Sequence, residues 1–129
     1  MNAADSKRED KPLHWVASSR KDLKSFAEDV VDIMGFGLRI AQQGNTPDNA
    51  KPLKGFGGAV VCEIIEDFDG DTYRAVYTVR FAKAVYVLHT FKKKAHHGIE
   101  TPRREMDVIK IRLKYAEEDY AARYPVEED

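Results

Sequence analysis

Apolar residues recur along this chain at a helical spacing, then at alternate positions, then at a helical spacing again. Leu23, Phe26, Val30 and Ile33 lie on one stripe of a 3.6-residue helix, with Ser18 and Ser19 before it as N-caps and Gly35 as its break. Phe36 to Gln43 continues in helical residues, so the spacing predicts a second helix stopped by Gly44 and, with the first, a helical hairpin. Pro47, Pro52, Gly55, Gly57 and Gly58 mark the stretch from Gly44 to Gly58 as a loop.

Three runs rich in β-branched and aromatic residues follow: Ala59 to Glu66, Thr72 to Phe81 and Ala84 to Lys92. Asp69-Gly70 and Ala82-Lys83 are hairpin links between them, which predicts an antiparallel meander. Leu13 to Ala17 is a short first strand. Thr101-Pro102 opens a last helix whose stripe is Met106, Ile109, Leu113, Ala116 and Tyr120, ending before Pro125. The expected fold is α+β: an N-terminal strand and helical hairpin on a twisted antiparallel sheet of four strands, with a C-terminal helix, two helices packing on one face. Residues 13–124 form one domain between a flexible segment, 1–12, and an acidic tail, 125–129.

Composition narrows the chemistry. At 129 residues and 43% hydrophobic, the chain can bury a core without disulfides, and its one cysteine, Cys62, lies inside an apolar run where a buried thiol fits. No stretch reaches the roughly 18 apolar residues of a membrane helix, and the charged start lacks the apolar region of a signal peptide, so the expected location is cytoplasmic, with no membrane partner. The net charge of −1 hides an uneven division. Residues 1–71 carry 9 Lys+Arg against 13 Asp+Glu, residues 72–114 carry 11 against 3, and residues 115–129 carry 1 against 6. Local excess, not the total, attracts polyanions.

Within the basic stretch, alternation puts Tyr73, Ala75, Tyr77, Val79 and Phe81 on one strand face and Arg74, Val76, Thr78 and Arg80 on the other. Arg74 then projects away from the core, where a planar guanidinium clamps a phosphate and can be replaced without loss of the fold. In the next strand Val85, Val87, His89 and Phe91 share a face, and the run ends in Lys92-Lys93-Lys94. An aromatic plate beside several ammonium groups is the pairing that holds single-stranded RNA. Clustering of the lysines favours a lowered pKa on one of them, a usable general base. Against this, three lysines are usually a solvated strand end, and a lone His89 is usually a satisfied, half-buried histidine.

Other chemistries fit worse. His96-His97 lack the spacing of a metal site and have no cysteine or carboxylate array around them, so neither metal nor small-molecule cofactor is expected. Gly55-Phe56-Gly57-Gly58 lacks the Gly-Lys-Ser/Thr ending of a phosphate loop and leads into a strand. No nucleophile with a base and an orienting group stands out for acyl transfer.

Trp15, Ser18-Ser19, Asp22-Leu23, Ala41-Gln42-Gln43-Gly44, Lys51-Pro52-Leu53-Lys54-Gly55-Phe56, the run Asp71 to Val79, and His89-Thr90-Phe91-Lys92-Lys93-Lys94 with Thr101-Pro102 together resemble one family over about residues 13–116. It is the RelE/ParE toxin superfamily, in its phage-related HigB-like branch. The resemblance implies the toxin half of a type II toxin–antitoxin pair, a cognate helix-turn-helix antitoxin, and entry into the ribosome to cut mRNA without metal, by attack of the RNA 2′-hydroxyl. It also implies roles. Arg74 matches the arginine at the scissile phosphate, Lys54 the basic loop position, and Phe91 with Lys92 to Lys94 the strand end where relatives place their remaining catalytic or base-stacking groups. The candidate catalytic set is then Arg74, Lys54, Lys93, Lys94 and, as runner-up base, His89, and the RNA-binding set is Lys92, Phe91, Arg80 and Lys51. Tyr77 and Tyr86 would assist only if not fully buried. The chain lacks the tyrosine just after the strand and the Asp-Tyr-His-like ending of two relatives, which leaves base and acid open. ParE-like members act on DNA gyrase instead, and a non-enzymatic poison or protein-binding module is the alternative.

Overall fold

The computed structural model describes residues 10–57, 60–94 and 100–126. Residues 1–9 of the leading segment, His96, His97 and residues 127–129 of the acidic tail lie outside the described residues, as does the side chain of Lys94. In chain order the elements are β1 (Leu13–Trp15), α1 (Ser19–Lys24), α2 (Glu28–Gln42), β2 (Ala50–Pro52), β3 (Val61–Phe68), β4 (Asp71–Thr78), β5 (Val85–Lys94) and α3 (Arg103–Arg123). The α+β class stands, but the sheet has five strands in the order β1-β5-β4-β3-β2, and β1 runs parallel to β5. The expected four-stranded antiparallel sheet is corrected on both counts. Pairing of Lys51 with Glu63 draws a strand out of the proline- and glycine-marked loop, and the helical segment between β1 and the sheet carries the chain over so that β1 and β5 point the same way.

The helical break is also displaced. It falls at Ser25-Phe26-Ala27, not at Gly35: the Ser25 hydroxyl and N–H both donate to the Asp22 carbonyl and end α1. Phe26 then leaves the helical stripe and packs edge-on against Tyr73, with ring centroids 4.8 Å apart. Gly35 and Gly37 stay inside α2, where Gly37 brings the helix so close to β3 that an added Cβ would lie 2.9 Å from the Ile64 side chain. Close packing of the flanking stripe outweighs the propensity cost of about 1 kcal/mol per glycine.

Two apolar clusters cover the two faces of the sheet. Leu23, Val30, Met34, Leu38 and Ala41 of α1 and α2 pack on Ile64, Tyr73, Ala75, Tyr77, Val85 and Val87. Ile109 and Ala116 of α3 pack on Val61, Val76, Tyr86 and Leu88, with Met106, Leu113 and Tyr120 beside them. The helices therefore sandwich the sheet, α1 and α2 on one face and α3 on the other, because both sets of alternate strand positions are apolar enough to need cover. A register shift between Val76 and Tyr77, opposite His89 and Val87, adds a residue to β5 at Leu88. It reverses the alternation, so Val85 and Val87 face α2 while Phe91 joins the α3 cluster, contrary to the single face expected for them.

β4 ends at Thr78, and Phe81, expected inside the strand, is buried in the connection to β5 against Tyr120. The Asp69-Gly70 link is a tight hairpin with left-handed φ at both residues, 52° and 88°. Gly70→Ala should cost about 1–2 kcal/mol through the left-handed penalty, read as a lower midpoint in urea with unchanged slope; an unchanged midpoint would contradict the turn.

Candidate functional site

The register places four charged residues in one row on the face that α3 covers. Lys51 of β2 lies opposite Glu63 of β3; Arg74 of β4 is opposite Ile65, one alternate position from Glu63; and Phe91 of β5 is opposite Arg74, with Lys93 one alternate position further. Arg74 therefore does not project into solvent. It is 2% exposed and Glu63 is 1% exposed, because the residues leading into α3 close over them. Arg74 Nη1 donates to Glu63 Oε1 at 3.0 Å and to Thr101 Oγ1 at 3.2 Å, and the Thr101 hydroxyl donates to Glu63 Oε2 at 3.2 Å. Buried charges survive in such a place only when paired and hydrogen-bonded, and this triangle supplies both.

Lys51, Pro52, Leu53, Lys54, Glu63, Glu100, Thr101 and Met106 line a hollow of about 300 Å³ above the triangle. Lys51 and Lys54 are exposed on its wall. Lys93, 8% exposed, donates to the carbonyl of Glu100, one of the lining residues. Burial pushes the Lys93 ammonium below the ordinary lysine range, and Arg74 and Lys51 push it further, against Glu63 and Glu100. The expectation of a lowered lysine pKa thus has its geometry at Lys93, but desolvation is the first cause, not repulsion within the lysine run.

The other expected site residues lie elsewhere. Lys92 points to the opposite side, 3.7 Å from Asp71, and Arg80 pairs with Glu117 on the second half of α3. His89 is 7% exposed and stacks on Phe91, itself 7% exposed, with centroids 5.0 Å apart. Phe91 is therefore not an open plate for a base. Arg112 Nη1 donates to His89 Nδ1 at 3.1 Å, which leaves the proton on Nε2 to be donated to Glu105 Oε1 at 2.6 Å. Both ring nitrogens are engaged, so His89 ties α3 to β5. With Asp22, Ser25, Phe26, Tyr73 and Lys92, these residues border a separate cleft of about 400 Å³. Tyr77 and Tyr86 are buried, and burial pushes both phenols well above their usual range.

Sequence reasoning passed over Glu63 and Thr101. The signal for Glu63 was present: a carboxylate within the apolar run Val60 to Ile65 must find a cation if the strand is covered on both faces. Thr101 was read as part of a helix start and of the family motif, with no contact of its own.

The phage-derived Gp49-like family model matches residues 21–114, a span that holds the whole charged row and the hollow. The chain belongs to that family. Among solved structures, this Gp49-like protein is similar to a double-arginine mutant of the E. coli toxin RelE in the free state. Identity is 17%, covering 83% of this chain and 98% of that one, with a TM-score of 0.53. The RelBE2 toxin–antitoxin complex from Mycobacterium tuberculosis is also similar, at 15% identity over 64% of this chain and 96% of that one, TM-score 0.44. No curated protein sequence matches. The fold of the Gp49-like chain is thus that of RelE, as the resemblance implied. Among the described residues no helix is long and apolar enough to cross a membrane.

Proposed function

We propose that this protein is the toxin of a type II toxin–antitoxin pair and acts as a metal-independent endoribonuclease on ribosome-bound mRNA. The observation that carries the reading is a hollow lined by Lys51 and Lys54 whose lining residues Glu63, Thr101 and Glu100 hold the buried cations Arg74 and Lys93 behind it, in a chain of Gp49-like family and RelE fold. Two exposed ammonium groups on the wall, with two buried cations behind it, suit a bent phosphodiester. The RNA 2′-oxygen attacks phosphorus, the bond to the 5′-oxygen breaks, and a cyclic phosphate and a 5′-hydroxyl result.

Lys93, whose proton is held loosely, accepts the 2′ proton. Lys51 and Lys54 hold the phosphate oxygens, and protonated Lys54 returns a proton to the departing 5′-oxygen. Arg74 is sealed beneath Thr101, so its part is a fixed charge behind the site and not the open clamp that alternation alone suggested. A helix-turn-helix antitoxin is the proposed partner in the resting cell. An outward apolar groove on α2, with Ile33, Ile40 and Phe36, the last 70% exposed, favours a protein partner and keeps the gyrase-poison or binding-module reading in view.

Salt dependence separates these readings. Cosedimentation with ribosomes carrying mRNA should weaken steeply as salt rises, with a log K slope near about −3 for roughly four phosphate contacts on a single strand. A flat response would reject the basic hollow as the contact and favour the apolar groove.

A further inference from the structure

Lys51, Lys54 and Lys93 were legible as candidates, but the residue that joins the hollow's wall to its buried cation is an acid. We propose that Glu63 is the positioning residue of this site: its two oxygens, divided between Arg74 and the Thr101 hydroxyl, fix the charge behind Lys93 and fasten the head of α3 over it. The inference rests on the nuclease reading given above.

Geometry separates this role from ordinary ion pairing. Glu63 sits opposite Lys51 on one neighbouring strand and diagonal to Arg74 on the other, and its carboxylate also lines the hollow. It is 1% exposed, and each oxygen has a distinct partner: Oε1 with Arg74 at 3.0 Å and Oε2 with Thr101 at 3.2 Å. Thr101 both accepts from Arg74 and donates to Glu63, so removing the carboxylate's charge disturbs all three contacts together. Among the described residues, charged groups acting on Lys93 come from several elements: Arg74 from β4, Glu63 from β3, Lys51 from β2 and Glu100 from the segment before α3. Glu63 and Glu100 favour the ammonium, whereas Arg74 and Lys51 disfavour it. Without its negative charge, position 63 would no longer favour the Lys93 ammonium, and the amine would lose its proton at lower pH.

The test uses Glu63→Gln, which keeps volume and one acceptor while removing the charge. Labelled mRNA on purified ribosomes is cut by wild-type and variant protein across neutral and alkaline pH, with melting curves for both. The expected result is a fall of about tenfold or more in kcat with KM changed less than about threefold, and an acid limb of the pH–rate profile moved to lower pH. Glu63→Asp should restore part of kcat. If the glutamine variant does not fold, Thr101→Val, which cuts the second contact and leaves the ion pair, should show the same kcat loss at smaller size. An unchanged kcat in a folded variant, or a rate loss with the acid limb unmoved, overturns the positioning role. Intact mRNA with wild-type protein is a different failure: it rejects the nuclease reading, and this inference falls with it.

Discussion

Arg74→Ala should unfold the protein at markedly lower temperature than wild type, by about 3–5 kcal/mol of lost stability. Strand alternation alone argues the opposite, that an arginine across from Tyr73 and Tyr77 can be removed without harm. The burial decides between them. Glu63 is 1% exposed, and without Arg74 its carboxylate keeps only the Thr101 hydroxyl among the contacts described above. A buried charge stripped of its partner costs far more than the pair contributes. The corresponding fall in Tm is on the order of 10–20 °C for a chain of this size. Replacing both partners, as Glu63→Met with Arg74→Met, should return most of that loss, because two apolar side chains of similar volume need no compensation. Calorimetry on the three variants checks this, and an Arg74→Ala protein that melts like wild type would remove the buried pair from the account.

Lys93→Met should have the converse signature: cleavage lowered by about 10² to 10⁴, the usual worth of a positioned general base, with stability equal to wild type or higher at neutral pH. The sign follows from the lowered pKa. In the window between the folded value and the ordinary lysine value, the unfolded chain binds the proton more readily, so stability rises with pH through that window. Below it the buried ammonium exerts its full penalty. Methionine removes the penalty while filling the same space. The wild-type rate should rise with pH until Lys93 is neutral, and this limb should vanish in the variant. Lys92→Ala, on the opposite side of β5 beside Asp71, should leave the rate within about threefold. Equal losses from the two lysines would return the chemistry to an undifferentiated basic run.

Much of this architecture was legible because its signals are local. Asp69-Gly70 can adopt the left-handed pair that a two-residue hairpin needs, and Thr101-Pro102 before a stripe from Met106 to Tyr120 can only start a helix well. The strand runs carried their identity in β-branched and aromatic residues. What stayed hidden depends on contacts distant in sequence. Nothing near Leu13 discloses that β1 pairs in parallel with Val85 to Val87, and nothing near Leu88 discloses the extra residue that turns Phe91 toward α3.

The candidate site shows the same division. Period two correctly set Arg74 opposite the Tyr73–Tyr77 face, but a face is not an exposure, and whether α3 would cover it is a tertiary fact. That cover turned a supposed phosphate clamp into half of a buried pair and made Phe91 and His89 internal. It also singled out Lys93 from Lys92, two neighbours identical in sequence terms and opposite in environment. Glu63 illustrates the signal that was available and unread: a lone acid in an apolar strand asks for a cation on the neighbouring strand, and Arg74 is there.

The hollow between β2, β3 and the head of α3 is proposed to cut RNA with this chain's own lysines. Purified wild-type protein is incubated, in excess chelator, with ribosomes carrying a labelled mRNA, and the ends are mapped by primer extension and tested for a terminal cyclic phosphate. The account predicts discrete cuts that persist in chelator, end in cyclic phosphate and 5′-hydroxyl, and disappear in Lys93→Met. Intact mRNA with folded wild-type protein, or cutting that Lys93→Met retains in full, would contradict it.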